Sequence, residues 1–540
     1  MKTAGSFDYI IVGAGTAGCV LANRLSADSR NSVLLLEAGG KDDWIWIHIP
    51  VGYLYCIGNQ RTDWCYKTEP EAGLNNRMIG YPRGRVLGGS SSINAMLYLR
   101  GQARDYDEWA QVTGDSDWSW QHVLPIFMKS EDHWRGADEK HGEGGEWRVE
   151  RPKITWEILD AFAEAAVESG IPRTEDFNRG NNEGVGRFEV NQRNGVRWSA
   201  AKAFLRPALK RPNLTVMTGA LVKRLRLEGR RVLGIEFCRE GEERFAEARR
   251  ETILSAGAVG SPQILQLSGI GPGALLQSHG IPVAHDLAGV GESLQDHLQL
   301  RMAFKVKHAL TLNTMLGSWW KKALMGCQYA WSRSGAMTMP PSQMGAFTKS
   351  DPSQPTPNLE YHVQPISLDK FGDPPHPFNA FTASTCNLRP TSRGHVRIKS
   401  ADPRAYPAIA PNYLSTAEDR QVAANAIRLT RRIVLGTEAM KKYEPEEYTP
   451  GAAFQSEEEL VRAAGNIGTT IFHPVGTCKM GRDTDSYAVV DPQLRVRGIE
   501  RLRVIDASVM PTITSGNTNS PTLMIAERGS KLVMSAALRS

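Results

Sequence analysis

No apolar run in this chain approaches the roughly 18 residues that cross a bilayer, and the opening residues MKTAGS are too short and polar for a secretory signal. No CxxC pair occurs among the seven cysteines, at positions 19, 56, 65, 238, 327, 386 and 478. That spacing and the odd number exclude a disulfide scaffold or a zinc site, so no metal is expected and a reducing, cytoplasmic compartment is. No block of five or six like charges appears, and a net charge of +6 over 540 residues gives no footprint for nucleic acid. No internal repeat is present. No GxSxG elbow sits on a strand–helix turn, so the abundance of Ser, His and Asp does not read as a hydrolase. What remains is ordinary globular composition, 41% hydrophobic and 23% charged, on a chain longer than one core usually serves, so two connected domains are expected. Ser318–Met325 is amphipathic with paired tryptophans. It reads as a lid or surface helix, with peripheral membrane contact left open.

The N-terminus carries a complete grammar. Phe7–Val12 is an apolar run of the buried-strand type. It leads into Gly13-Ala14-Gly15-Thr16-Ala17-Gly18, a GxGxxG, then a helical stretch over Cys19–Leu25 and a second strand over 32–36 ending at Glu37. Gly13 permits the tight turn, Gly15 lets backbone approach a pyrophosphate, and Gly18 lets helix pack on strand. The helix N-terminus favours phosphate. Glu37, 19 residues after Gly18, can accept from ribose hydroxyls, and its charge disfavours a 2′-phosphate. The motif does not separate NAD from FAD.

Longer segments decide. Gly84–Asn94 (GRVLGGSSSIN), continuing through Tyr98 and Gly101 to Asp107, resembles the first signature of the glucose-methanol-choline (GMC) oxidoreductases. Gly257–Gly271 (GAVGSPQILQLSGIG) resembles the second. His473–Gly481 (HPVGTCKMG), Val504–Pro511 and Gly516–Thr522 follow in the order this family shows. The resemblance runs from Phe7 to about Lys531, and its wording is most similar to the choline-dehydrogenase-like branch.

The resemblance implies an α/β fold (α+β overall): a Rossmann-type FAD-binding domain over 1–150, 200–300 and 465–540, interleaved with a substrate domain over 151–199 and 301–464, built on an antiparallel sheet with helices. It implies cofactor contacts at Gly13, Gly15, Thr16, Ala17, Gly18, Glu37 and Ala38; at Leu87, Gly88, Ser91, Asn94, Ala95 and Met96; at Val222, in a strand-like stretch Asn213–Val222; and at Asp506, Ala507, Asn517 and Thr518. A structural capping role for Asp506 is the competing reading. Where some members attach the flavin through a histidine, the matching position of this chain is Ile93, so the FAD is expected to be dissociable.

The implied reaction oxidises an alcohol to an aldehyde or ketone. His473, neutral near its ordinary pKa of about 6.5, takes the hydroxyl proton, and flavin N5 takes the hydride. Asn517 holds the hydroxyl or the developing alkoxide; Asn519 is its near neighbour. The other eleven histidines default to structural or surface roles, and Leu294–His297 reads as structural hydrogen bonding. The electron acceptor is a quinone or other carrier, or oxygen in an oxidase using the same residues. A lyase with a redox-silent flavin is the reading from a different class. Aromatics over 41–66 would line a pocket or pack a lid. Glu360 and Asp369 are carboxylates that sequence does not place, and Gly136–Gly145 reads as an exposed loop or lid.

Overall fold

Two seven-stranded sheets organise this computed structural model, which describes residues 1–316, 319–369 and 373–538. Ser318, at the head of the amphipathic stretch, lies outside the described residues.

The first sheet is built from β1 (Lys2–Val12), β2 (Val33–Leu36), β3 (Leu214–Met217), β4 (Ala220–Glu228), β5 (Arg231–Arg239), β6 (Glu242–Leu254) and β7 (Leu502–Val504). Their order is β3-β2-β1-β6-β5-β4, with β7 also on β6. The pairs around β1, β2, β3, β6 and β7 are parallel, while β4, β5 and β6 form an antiparallel meander. The central strands are apolar without alternation because both faces are covered: Ile10, Ile11, Leu34 and Leu35 are wholly buried. Each such side chain contributes about 1.5–3 kcal/mol on leaving water.

Helix α1 (Thr16–Leu25) follows β1 as expected and packs on the long C-terminal α3 (Asn519–Ala537). Arg24 of α1 is forked between Glu527 of α3 and Glu146, which ties the two helices together. Helix α2 (Gly257–Leu267) starts just beyond β6.

The expected single strand over Asn213–Val222 is instead two. β3 runs parallel to β2, the chain turns at Thr218-Gly219, where Gly219 has φ +65°, and β4 enters the meander. The turn chemistry of one glycine overrides continuous apolar alternation.

The second sheet is antiparallel throughout, in the order 446–449, 298–305, 380–387, 359–364, 344–348 and 184–187, with 468–470 also on 298–305. One face packs on the helices Glu157–Glu168 and Ala417–Leu435 through Leu298, Leu300, Met302, Tyr361 and Val363. With a period of two, the other face carries Gln299, Arg301, Glu360, His362, Gln364, Ser384 and Cys386, all buried. Strand 298–305 spans the expected boundary at residue 300, and 468–470, just beyond the one at 465, pairs with it in this same sheet. The loop Gly136–Gly145 is exposed only in part. His141 within it is buried between Glu131 and Asp176, and these carboxylates hold its imidazole up at about 9 against the cost of burial.

Candidate active site

A cavity of about 480 Å³ runs from the glycine loop to the polar face of the second sheet. Three helix N-termini open on it: Thr16 of α1, Gly257 of α2 and Asn519 of α3. Thr16 Oγ1 donates to Asn519 Oδ1 at 2.6 Å, joining two of them. Converging positive helix ends and free N–H groups suit a phosphate-bearing ligand.

The glycines differ in what demands them. Gly13 has φ +97°, and a Cβ there would stand 2.5 Å from the Ser255 carbonyl. At Gly18 a Cβ would meet the Gly13 carbonyl at 1.9 Å, so helix–strand packing excludes it. At Gly15 a Cβ would meet nothing nearer than Ser255 O at 4.0 Å and would only occupy cavity wall. Protein packing does not require that glycine, whereas a ligand lying against the backbone would.

Glu37 ends β2 with Oε2 accepting from Ala14 N–H (2.9 Å) and Oε1 from Gly39 N–H (2.8 Å). Burial pushes its carboxyl up to about 7, against the pull of those two donors. Leu87–Asn94 lies against the glycine loop. Gly88 N–H donates to Ala14 O, and a Cβ on Gly89 would come within 2.7 Å of Gly15 Cα.

At the far end His473 and Asn517 meet. His297 Nε2 faces the Leu388 carbonyl at 3.1 Å, so Nε2 carries the proton and Nδ1 is the acceptor. His473 Nδ1 lies 3.1 Å from that acceptor and must therefore be its donor. His473 Nε2 is left with its lone pair, 3.0 Å from the Asn517 amide nitrogen, which donates to it. Burial first, then the neighbouring His297, His362 and Arg83, holds the His473 imidazole well below its ordinary pKa.

Two carboxylates position this pair. Asp296 accepts from His473 N–H (2.8 Å), Tyr413 OH (2.5 Å) and Thr470 Oγ1 (2.6 Å). Asp105 accepts from the N–H and hydroxyl of Ser515, holding the turn that leads to Asn517. Phe472, beside the histidine, sits at φ +72°, a conformation a bulky residue adopts only when its surroundings enforce it. Arg83 Nη2 helps by donating to its carbonyl at 2.5 Å.

Two sequence profiles described as GMC oxidoreductase match residues 7–299 and 390–526. Mitochondrial choline dehydrogenase of Homo sapiens is 41% identical over 99% of this chain and 91% of its own length. An alcohol dehydrogenase [acceptor] of Pseudomonas putida is also 41% identical, over 98% of this chain and 96% of its own. The chain belongs to the GMC oxidoreductase family. Among solved structures, an Aspergillus oryzae formate oxidase variant studied for FAD modification superposes with a TM-score of 0.91 at 27% identity, covering both chains fully. This GMC oxidoreductase is an enzyme that uses FAD and acts on the CH–OH group of its donors. The three helix ends, the open Gly15 and the paired Glu37 give a cradle that fits such a dinucleotide.

Within the GMC chain, Gly13, Gly15, Thr16, Ala17, Glu37, Ala38, Asn94, Ala95, Met96, Val222, Asp506, Ala507, Thr518, His473 and Asn517 line the cavity. Gly18, Leu87, Gly88 and Ser91 stand behind its wall: Ser91 Oγ donates to Gly88 O and accepts from Ala200 N–H, so it braces the loop. Asp506 borders the cavity, yet its oxygens are held by Gly257 N–H, Ser261 Oγ and both donors of Ser508. It caps α2 from a distant part of the chain.

Sequence reasoning missed Gln299, His362 and Gln364 on the cavity wall; Glu360, which sequence could not place, is buried 3.0 Å from His362. Asp369, by contrast, is an exposed partner of His376. Of the aromatics over 41–66, Tyr53, Trp64 and Tyr66 line the cavity. Trp44 and Trp46 pack a small separate cluster, and Tyr55 is exposed.

Proposed function

We propose that this enzyme oxidises an alcohol to a carbonyl compound with His473 as general base, Asn517 as the group that holds the reacting oxygen, and a dissociable FAD. The observation that carries the reading is the directed chain Leu388 O, His297, His473, Asn517, which leaves a neutral imidazole lone pair and an amide donor facing each other. An alcohol hydroxyl entering between them would donate to His473 Nε2 and accept from Asn517 Nδ2, with both directions already set. When bound, FAD supplies the hydride acceptor at N5.

His473 gains the proton, and its Nδ1–H then strengthens the hydrogen bond to His297, which spreads the new charge. Burial disfavours that cation, so the proton is released readily for the next turnover. Asn517 Oδ1 is buried with no hydrogen-bond partner among the described residues, which suits an amide whose remaining partner is a ligand.

Ile93 on the cavity wall has no nucleophile, which supports non-covalent FAD. Glycine loop, Glu37 and the C-terminal turn support residues 1–150, 200–300 and 465–540 as the flavin part, with 151–199 and 301–464 forming the substrate part. For the electron acceptor the relatives point both ways, to a carrier in the alcohol dehydrogenase [acceptor] and to oxygen in the oxygen-dependent choline dehydrogenases that are 42% identical.

His473→Ala is expected to lower turnover about 100-fold or more while flavin content stays unchanged. Turnover close to that of the unaltered enzyme would refute the assignment of the base.

A further inference from the structure

Beside the base and its amide partner, the cavity wall carries polar side chains that the reaction above does not use. Ile471 N–H donates to the His297 carbonyl at 3.1 Å, so the ladder of strand 298–305 already begins at His297. With a period of two, Gln299 shares the face of His297 and lies about 6–7 Å further along it. Because His297 holds His473, Gln299 stands next to the reacting end. Gln299 is only 2% exposed and lines the cavity, yet no described residue bonds to its amide. On the same face Gln364 Nε2 donates to Ser342 Oγ at 3.2 Å, which leaves the Gln364 side-chain carbonyl and the Ser342 proton for another partner. Buried donors and acceptors are normally paired, so an open amide on a cavity wall points to an oxygen of the ligand.

The charge on that wall is not what a cation needs. Among the described residues that line the cavity, Glu37 and Asp506 are the only carboxylates. Both are engaged in the dinucleotide cradle, Glu37 by Ala14 and Gly39 N–H and Asp506 by Gly257, Ser261 and Ser508. Glu360 does not reach the wall; it sits 3.0 Å from His362, which does. The rings are engaged as well. Trp64 is stacked on Tyr66 (5.5 Å) with the Arg85 guanidinium 4.8 Å from its ring, and Tyr53 has Arg301 and Arg197 as charged neighbours. A quaternary ammonium makes no hydrogen bonds and needs a carboxylate or a ring without positive neighbours. The reacting end offers neither.

We infer, resting on the reading of His473 and Asn517 above, that the substrate is a neutral alcohol bearing a second hydroxyl or carbonyl oxygen. Gln299 reads that oxygen, with Gln364 and Ser342 beside it, and quaternary-ammonium alcohols such as choline are rejected. The Gln299 amide donates to the second oxygen while His473 and Asn517 hold the first, so two points fix the substrate. An alcohol without the second oxygen leaves the amide buried and unpaired, which is the source of discrimination.

The FAD-loaded full chain is mixed without oxygen with n-butanol, the butanediols and choline, and flavin bleaching is followed. At least one diol should bleach the flavin with a second-order rate constant about 10-fold or more above those of n-butanol and choline. Gln299→Leu should cut that diol's advantage over n-butanol by about 10-fold or more, with flavin content reporting that the variant is folded. Gln299→Glu keeps the shape, adds the missing carboxylate and should reverse the order of diol and choline. Choline as effective as the best diol in the unaltered enzyme, no diol above n-butanol, or a diol preference that survives either variant overturns the inference and leaves His473 as base. Bleaching by none of these compounds overturns it too; the base assignment falls with it only if a broad panel of alcohols also fails.

Discussion

In its proposed role as base, His473 has surroundings that keep it neutral and aim it. With its pKa held well below the ordinary histidine value by burial, then by His297, His362 and Arg83, the unprotonated form that the proposal requires is the prevailing one. The sign follows: kcat/KM should be flat across neutral pH and fall only as pH drops through a value below about 6.5. A pH–rate profile with its acid limb at or above that value would refute this. His297→Phe removes the acceptor that fixes the His473 tautomer and should cost about 10-fold or more in kcat, with flavin content retained. The two principal residues were legible in the sequence because they sit in long motifs. The role of His297 was not, since its partner lies 176 residues away and only folding reveals the hydrogen bond. Asp506 was half legible: its place beside the cavity was read, whereas its work of capping α2 depends on Gly257 and Ser261, which lie 249 and 245 residues away.

At the scale of elements, the β1–α1–β2 unit was readable because each part answers to local physics: apolar run, glycine turn, helix, acid. The structure divides its glycines, and that division is testable. Gly15→Ala should leave the apo-protein's melting temperature nearly unchanged but lower FAD retention, read as the flavin-to-protein absorbance ratio. Gly18→Ala should destabilise the apo-protein by about 1–3 kcal/mol, because its Cβ would stand 1.9 Å from the Gly13 carbonyl. Equal effects of the two would contradict the distinction. The second sheet shows the opposite case. Leu359-Glu360-Tyr361-His362-Val363-Gln364 alternates plainly, as a strand does, but alternation cannot say that its polar face meets the cavity rather than water. A buried polar face on a sheet is a product of stacking between distant segments.

For the whole molecule, the chain visits the second sheet twice, at 184–187 and again from 298–305 to 468–470, and so sets the polar face of that sheet at the far end of the cavity from the glycine loop. Fold class and cofactor were legible because long signatures carry them; the shape of the substrate end was not, because it is assembled from Gln299, His362, Gln364 and Tyr53 across three regions. Acid precipitation should release the flavin into the supernatant if, as Ile93 suggests, no covalent bond holds it; flavin remaining in the pellet would contradict this. The central claim is tested most directly by the absorbance spectrum of the FAD-loaded enzyme as a panel of alcohols is added without oxygen. The account predicts that the oxidised flavin bands bleach with one class of alcohol, and that His473→Ala retains the bands but bleaches at least about 100-fold more slowly. A flavin that no alcohol in a broad panel bleaches, or that bleaches equally fast in the variant, would contradict it.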